Sequence, residues 1–194
     1  MKKMRLILAL TSILHLFANG AFAQRSYLMI VDVQKSFYEN TDYENEANEM
    51  VVNINQLIGN TDPQKVIYIQ ATGKVLSISF RGIKALPMTT APDLDTNLLI
   101  VSNNLFIKTE GDAFSVADLR DFLEENDVEE IIIVGLLAEK CVYDSAIGGK
   151  ERGYDIYIVP EAITSKSIQK KEKTLAKMTK KGVEVLHLSE IIDL

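Results

Sequence analysis

Residues Glu130 to Val142 read EIIIVGLLAEKCV. Glu130 to Val134 is a nearly unbroken apolar run, as in a strand covered on both faces; a strand wet on one face would alternate. Gly135 closes the run, and Glu139 to Lys150 continues with helical spacing until a stop near Gly153. A buried strand feeding into a helix is half of a βαβ unit, the building block of parallel sheets. The stretch also sets Cys141, the chain's one cysteine, in the first helical turn beyond a strand.

The same alternation extends in both directions. Tyr27 to Val31 is a strand, Val66 to Ile69 another after the Asp62-Pro63 turn, and between them Glu44 to Ile58 is a helix. That helix has Ala47, Met50, Val51, Ile54, Leu57 and Ile58 on one face. Leu98 to Val101 and Leu105 to Ile107 are further strand candidates, and Ser115 to Asn126 is a helix capped by Ser115. Downstream, Tyr154 to Val159 is a strand stopped by Pro160, and Lys166 to Lys181 is a Lys-rich helix ended by Gly182. Val183 to Leu186 is a last strand before a short helix from Ser189. Thr72 to Asp95 is the one long irregular stretch. This order specifies an α/β domain, a three-layer α/β/α doubly wound sandwich around one parallel sheet with right-handed crossovers. No repeat or linker interrupts residues 24–194, and ligands of such sheets bind at the carboxyl ends of the strands.

Composition excludes several functions. The chain has 194 residues, 47% hydrophobic and 25% charged, too apolar for disorder. Its 21 Lys and Arg against 27 Asp and Glu give a net charge of −6, so nothing advertises a nucleic-acid partner. One Cys rules out an internal disulfide and a multi-cysteine zinc site, and two His leave little for a metal cluster. Neither G-x-G-x-x-G nor a Walker loop occurs.

At the start, Lys2, Lys3 and Arg5 precede an apolar run from Leu6 to Phe17, and Ala21-Phe22-Ala23 supplies the small-x-small pattern that a signal peptidase needs. Residues 1–23 are expected to be a signal peptide. The competing reading, a retained anchor, would need an apolar stretch of roughly 20 residues. Cleavage removes three basic residues, no acidic one, and His15, which takes the net charge to −9 and leaves His187 as the lone histidine. The expected product is exported, periplasmic or secreted, with no membrane contact after cleavage. A lone thiol in such surroundings is either buried or kept for its reactivity.

Three strand ends carry reactive groups: Asp32 after the first strand, Lys108 after Leu105-Phe106-Ile107, and Cys141. Singly, each has a bland reading: a turn or cap, a solvated cation, a small buried apolar residue. Together they have the makings of a site. A thiol in the first turn of a helix feels the exposed N–H groups and a neighbouring Lys adds to them, both favouring the thiolate. His187 lies on the last strand, so a Cys-His dyad is not expected, and Asp32 is the carboxylate available as base.

The segments LMIVDVQKSF (Leu28 to Phe37), KTEGDAF (Lys108 to Phe114) and GLLAEKCV (Gly135 to Val142) resemble the isochorismatase-like cysteine hydrolases. The usual patterns of that family are close to DxQxxF, a Lys followed by a short loop and AF, and GxxTDxCV. The resemblance implies a six-stranded parallel sheet and homo-oligomeric assembly. It implies Asp32 as general base, Lys108 as the group holding the charges in place, and Cys141 as the nucleophile that forms a thioester. It also implies a cis peptide between Leu136 and Leu137, which turns the Leu137 N–H inward beside that of Cys141 as an oxyanion hole. Gln34, Ser36, Phe37, Phe80, Arg81 and Phe114 are candidates to line the substrate pocket, the aromatics being equally compatible with plain core.

Two departures limit the transfer. The usual Thr-Asp before the cysteine is Ala138-Glu139, and the metal-binding Asp and His residues of the family's nicotinamidases are absent from Gln70-Ala71-Thr72-Gly73. No metal and no cofactor are therefore expected. The leading expectation is an exported hydrolase acting on a C–N bond of a small amide, carbamoyl or related non-peptide substrate. The alternative is a noncatalytic exported protein that binds a small molecule on the same fold. A third reading, a redox-sensing thiol, lacks a second cysteine.

Overall fold

The computed structural model describes residues 26–72, 74–79, 82–87 and 91–192. The expected signal peptide, Phe80 and Arg81 lie outside the described residues. In chain order the elements are β1 (Tyr27–Val31), α1 (Glu44–Gly59), β2 (Val66–Ala71), β3 (Lys74–Ser79), β4 (Gly82–Pro87), β5 (Leu105–Lys108) and α2 (Ala117–Glu125). They continue with β6 (Glu130–Gly135), α3 (Tyr143–Glu151), β7 (Asp155–Ile163), α4 (Ile168–Lys180), β8 (Glu184–Val185) and α5 (Ser189–Ile192). Six strands form an all-parallel sheet in the order β5-β2-β1-β6-β7-β8. The chain winds outward from β1 through β2 to β5, then returns to place β6 on the other side of β1. The switch point between β1 and β6 is where such sheets open a crevice.

Period-two alternation divides the apolar residues between two cores. Leu28 and Ile30 of β1, with Ile132 and Val134 of β6, pack with the Met50, Ile54 and Leu57 face of α1 and with Ile191 of α5. Tyr27, Met29 and Val31, with Ile131 and Ile133, pack with Leu119 and Leu123 of α2, Ala146 of α3 and Met178 of α4. Each fully buried Leu, Ile or Met contributes about 1.5–3 kcal/mol, so the central strands anchor both layers. Gly135 ends β6 with φ +117°, and a Cβ there would lie 2.1 Å from the Val31 carbonyl oxygen. Only glycine lets the two central strands approach this closely at the crevice.

Four expectations need correction. Leu98 to Val101 is not a strand; Leu98 plugs the core, while the Tyr68 hydroxyl donates to the Leu99 carbonyl and accepts from the Val101 N–H. The stretch Thr72 to Asp95 is not wholly irregular, because β3 and β4 pair as an antiparallel hairpin apart from the main sheet. Strand β7 runs through Pro160 to Ile163: its register with β6 shifts between Ile133 and Gly135, and this bulge accommodates a residue with no N–H to give. Ser115 does not cap α2; it sits in a preceding turn, donating to the Asp112 carbonyl, and Val116 occupies the cap position.

Candidate active site

Asp32 is the first residue past β1. It adopts a left-handed conformation (φ 58°), tolerated by Asp better than by most residues, and its N–H donates to the Ile69 carbonyl at 2.9 Å. Lys108, the last residue of β5, is 1% exposed. Its ammonium donates to Asp32 Oδ2 at 2.9 Å and to the carbonyls of Glu110 and Gly111 at 3.1 and 3.2 Å. Three acceptors match the three donors of the group, so burying the cation leaves none of its protons unpaired. Asp32 Oδ1 is buried and has no hydrogen-bond partner among the described residues.

Beyond Gly135 the Leu136-Leu137 peptide is cis. The Leu137 carbonyl accepts from the Lys140 N–H (2.9 Å) and the Val142 N–H (3.3 Å), a turn one residue wider than an α-helical one. The backbone kinks at Lys140 (φ −135°, ψ −111°) before α3 begins. Cys141 is presented from this turn rather than from a regular first helical turn. The end of β7 holds the turn down: Ala138 N–H donates to the Thr164 carbonyl at 2.8 Å, and Thr164 N–H to the Gly135 carbonyl at 3.1 Å.

Glu139 adds a side-chain tie, accepting from Ser165 Oγ at 2.7 Å and from the Lys166 N–H at 3.3 Å. Burial alone would raise its carboxyl, but these hydrogen bonds and the charge of Lys170 hold it below its ordinary value.

Burial raises the Asp32 carboxyl, against the pull of Lys108 and of the nearby Cys141 thiol. Burial, followed by the charge of Asp32, pushes the Cys141 thiol up to about 11, with Lys108 opposing. The expectation of a stabilised thiolate is therefore corrected: the resting group is a thiol facing a carboxylate, because desolvation and the like charge outweigh the lysine. Such a pair suits attack with proton transfer, since a carboxyl oxygen with no hydrogen-bond partner among the described residues lines the same cavity as the thiol.

Asp32 and Cys141 meet at a cavity of about 280 Å³ lined also by Phe37, Leu136 and Leu137, with Tyr43, Ala71, Lys140 and Lys166 around them, while Lys108 reaches it only through Asp32. Of the candidate lining residues, Phe37 is there. Phe114 is not: it is fully buried in the core beside α3, stacked on Tyr154 at 5.4 Å. Gln34 is also not in the lining; its amide bridges strand ends, accepting from Ala71 N–H and donating to the carbonyls of Ala71 and Pro92. Ser36 is exposed outside the cavity. His187 is exposed and pairs with Glu161 at 2.9 Å. Among the described residues no group of three or more His, Cys, Asp and Glu side chains is placed to share a metal ion. Tyr43, Lys140 and Lys166 were missed by sequence reasoning, although Lys166 follows a strand's carboxyl end and so carried a signal.

A profile of the isochorismatase domain matches residues 26–190. The chain is 25% identical over 159 residues to a protein described as a secreted isochorismatase effector of Verticillium dahliae, covering 77% of this chain and 78% of that one. Its fold is similar to a cysteine hydrolase of Pseudomonas syringae pv. phaseolicola, with TM-score 0.71, 20% identity, and coverage of 87% of this chain and 91% of that one. It is also similar to an isochorismatase family protein of Desulfovibrio vulgaris, with TM-score 0.71, 17% identity, and coverage of 88% and 97%.

Proposed function

Because the chain belongs to the isochorismatase family, we propose that it is a metal-independent cysteine hydrolase that cleaves a small amide, carbamoyl or related non-peptide substrate through a thioester on Cys141. The observation that carries this reading is the buried Asp32–Lys108 pair, 2.9 Å apart, whose carboxylate lines the same cavity as the thiol. As Sγ attacks the carbonyl carbon, its proton passes to Asp32 and the sulfur–carbon bond forms. The oxyanion is met by the N–H groups of Leu137 and Cys141. Collapse of the tetrahedral intermediate breaks the C–N bond, and the leaving nitrogen takes the proton from Asp32. Water then attacks the thioester and gives a proton to Asp32; collapse breaks the carbon–sulfur bond, Sγ takes that proton back from Asp32, and the acid product leaves. Lys108 steadies Asp32 in either state.

The basic, apolar and small-x-small order of residues 1–23 supports export as part of this reading, and the Verticillium dahliae relative is described as secreted. The test is a hydrolysis screen over small amides and carbamoyl compounds, with intact mass after rapid quenching. A substrate turned over by wild type, an acyl adduct on Cys141 and loss of both in Cys141→Ala support the proposal. A ligand that binds wild type and Cys141→Ala equally, with no turnover of any compound, leaves the binding-protein reading instead.

A further inference from the structure

The cavity does not share the charge of the chain that builds it. Overall the sequence carries 27 acidic residues against 21 basic ones, yet among the described residues the only carboxylate in the cavity wall is Asp32, which Lys108 already pairs. The other charged groups in the wall are Lys140 and Lys166, both exposed at its mouth. Neither forms an ion pair with any of the described residues. Glu139, adjacent in sequence to Lys140, has its carboxylate engaged by Ser165 and the Lys166 N–H. Asp42 and Glu46 border an adjoining hollow that Lys166 shares, but Lys171 borders it too.

We infer that Lys140 and Lys166 select a substrate carrying an anionic group, such as a carboxylate, at the end remote from the scissile carbonyl. The two lysines come from different elements, the kinked turn before α3 and the segment after β7. Thr164 and Glu139 tie these elements together, so the two lysines border the same opening. A cavity of about 280 Å³ lies at the small end of ligand sites. A compact substrate seated on Cys141 therefore brings its far end to the mouth, where the lysines are. The inference deepens the hydrolase reading by naming its substrate class, and it rests on that reading for the reaction alone.

Two alkylating agents of nearly equal size and opposite charge character test it without turnover. Iodoacetate is an anion and iodoacetamide is neutral, and both carry a carbonyl group into the cavity to reach Cys141. The ratio of their rate constants, referred to the ratio for a free cysteine peptide, reads the field at the mouth. At low ionic strength (~10 mM, where screening acts over about 30 Å) wild type is expected to favour iodoacetate over the reference. In the Lys140→Gln/Lys166→Gln double variant the preference falls roughly fivefold, the order expected for two exposed charges, and at high salt wild type approaches the variant. A wild-type ratio equal to the reference, or unchanged by the double substitution, overturns the inference. So does a folded protein whose Cys141 reacts with neither agent. A failed hydrolysis screen beside a retained iodoacetate preference discards the reaction and keeps the anion-selective mouth.

Discussion

Asp32 must satisfy two neighbours with opposite demands. Its Oδ2 is engaged by Lys108, while its Oδ1 is buried without a partner and the Cys141 thiol is the group whose proton it can receive. The charges predict shifts of opposite sign. Asp32 raises the thiol, so Asp32→Asn lowers the Cys141 pKa from about 11; Lys108 lowers it, so Lys108→Met raises it further. Iodoacetamide labelling against pH is expected to rise through the alkaline range in wild type, move to lower pH in Asp32→Asn and move to higher pH in Lys108→Met. Shifts of the same sign in both variants would contradict this electrostatic account. Asp32→Asn should meanwhile lose about 10²–10⁴ in kcat, although its thiolate is more abundant, because the base that carries the proton is gone. Asn also tolerates the left-handed backbone, so the loss reads chemistry. Lys108→Met removes one partner of a pair that is 0% and 3% exposed, and chemical denaturation should show a loss of about 3–5 kcal/mol.

Among the elements, the seam between β1 and β6 sets the geometry of everything at the crevice. Gly135→Ala would drive a methyl into the Val31 carbonyl from a backbone at φ +117°, and expression of soluble folded protein should fail. Gly153 is the control: its φ is +93° but nothing lies within 4 Å of the added Cβ. Gly153→Ala should therefore fold and cost only the left-handed penalty of about 1–2 kcal/mol. A second element-level device is the tie between the nucleophile's turn and the end of β7. Glu139→Ala removes two hydrogen bonds worth about 1 kcal/mol each, and should lower the melting temperature by several degrees and kcat more than KM.

The central strands were legible because β1 and β6 are buried on both faces and so read as unbroken apolar runs. That Asp32 and Cys141 lie near one another follows from strand ends at a switch point, whereas Lys108, at the end of the edge strand β5, reaches Asp32 across β2. The path of β7 was not legible, since the usual rule that proline stops a strand says nothing about a bulge. Phe114 and Phe37 follow the same kind of motif signal, and no one-dimensional pattern distinguishes a ring stacked on Tyr154 from one facing a cavity. The thiol's direction of shift was misjudged for a similar reason, because sequence showed the nearby helix and lysine but not the depth of burial beside Asp32.

At the scale of the whole molecule, the outlier is the β3–β4 hairpin. It is inserted between β2 and β5, two strands of the parallel sheet, yet it pairs only within itself. A two-stranded hairpin alone is marginal in water, whereas the central strands β1, β2 and β6 are buried along nearly their whole length. Limited trypsin digestion, watched by mass spectrometry, should thus cut first at Lys74 or Lys84, within the hairpin. The nicked protein should stay associated and keep its melting temperature within a few degrees. Its activity should fall, because Ala71 at the hairpin's root lines the cavity and the loop returning from the hairpin is pinned by the hydrogen bond from Gln34 to the Pro92 carbonyl. Resistance at those lysines while exposed sites elsewhere are cut would mean that the hairpin is seated on another surface. If that surface is a second copy, as the expected homo-oligomer requires, protection should be lost on dilution, in step with the fall in mass by light scattering. Protection that survives dilution to the monomer would instead place the covering surface within the same chain.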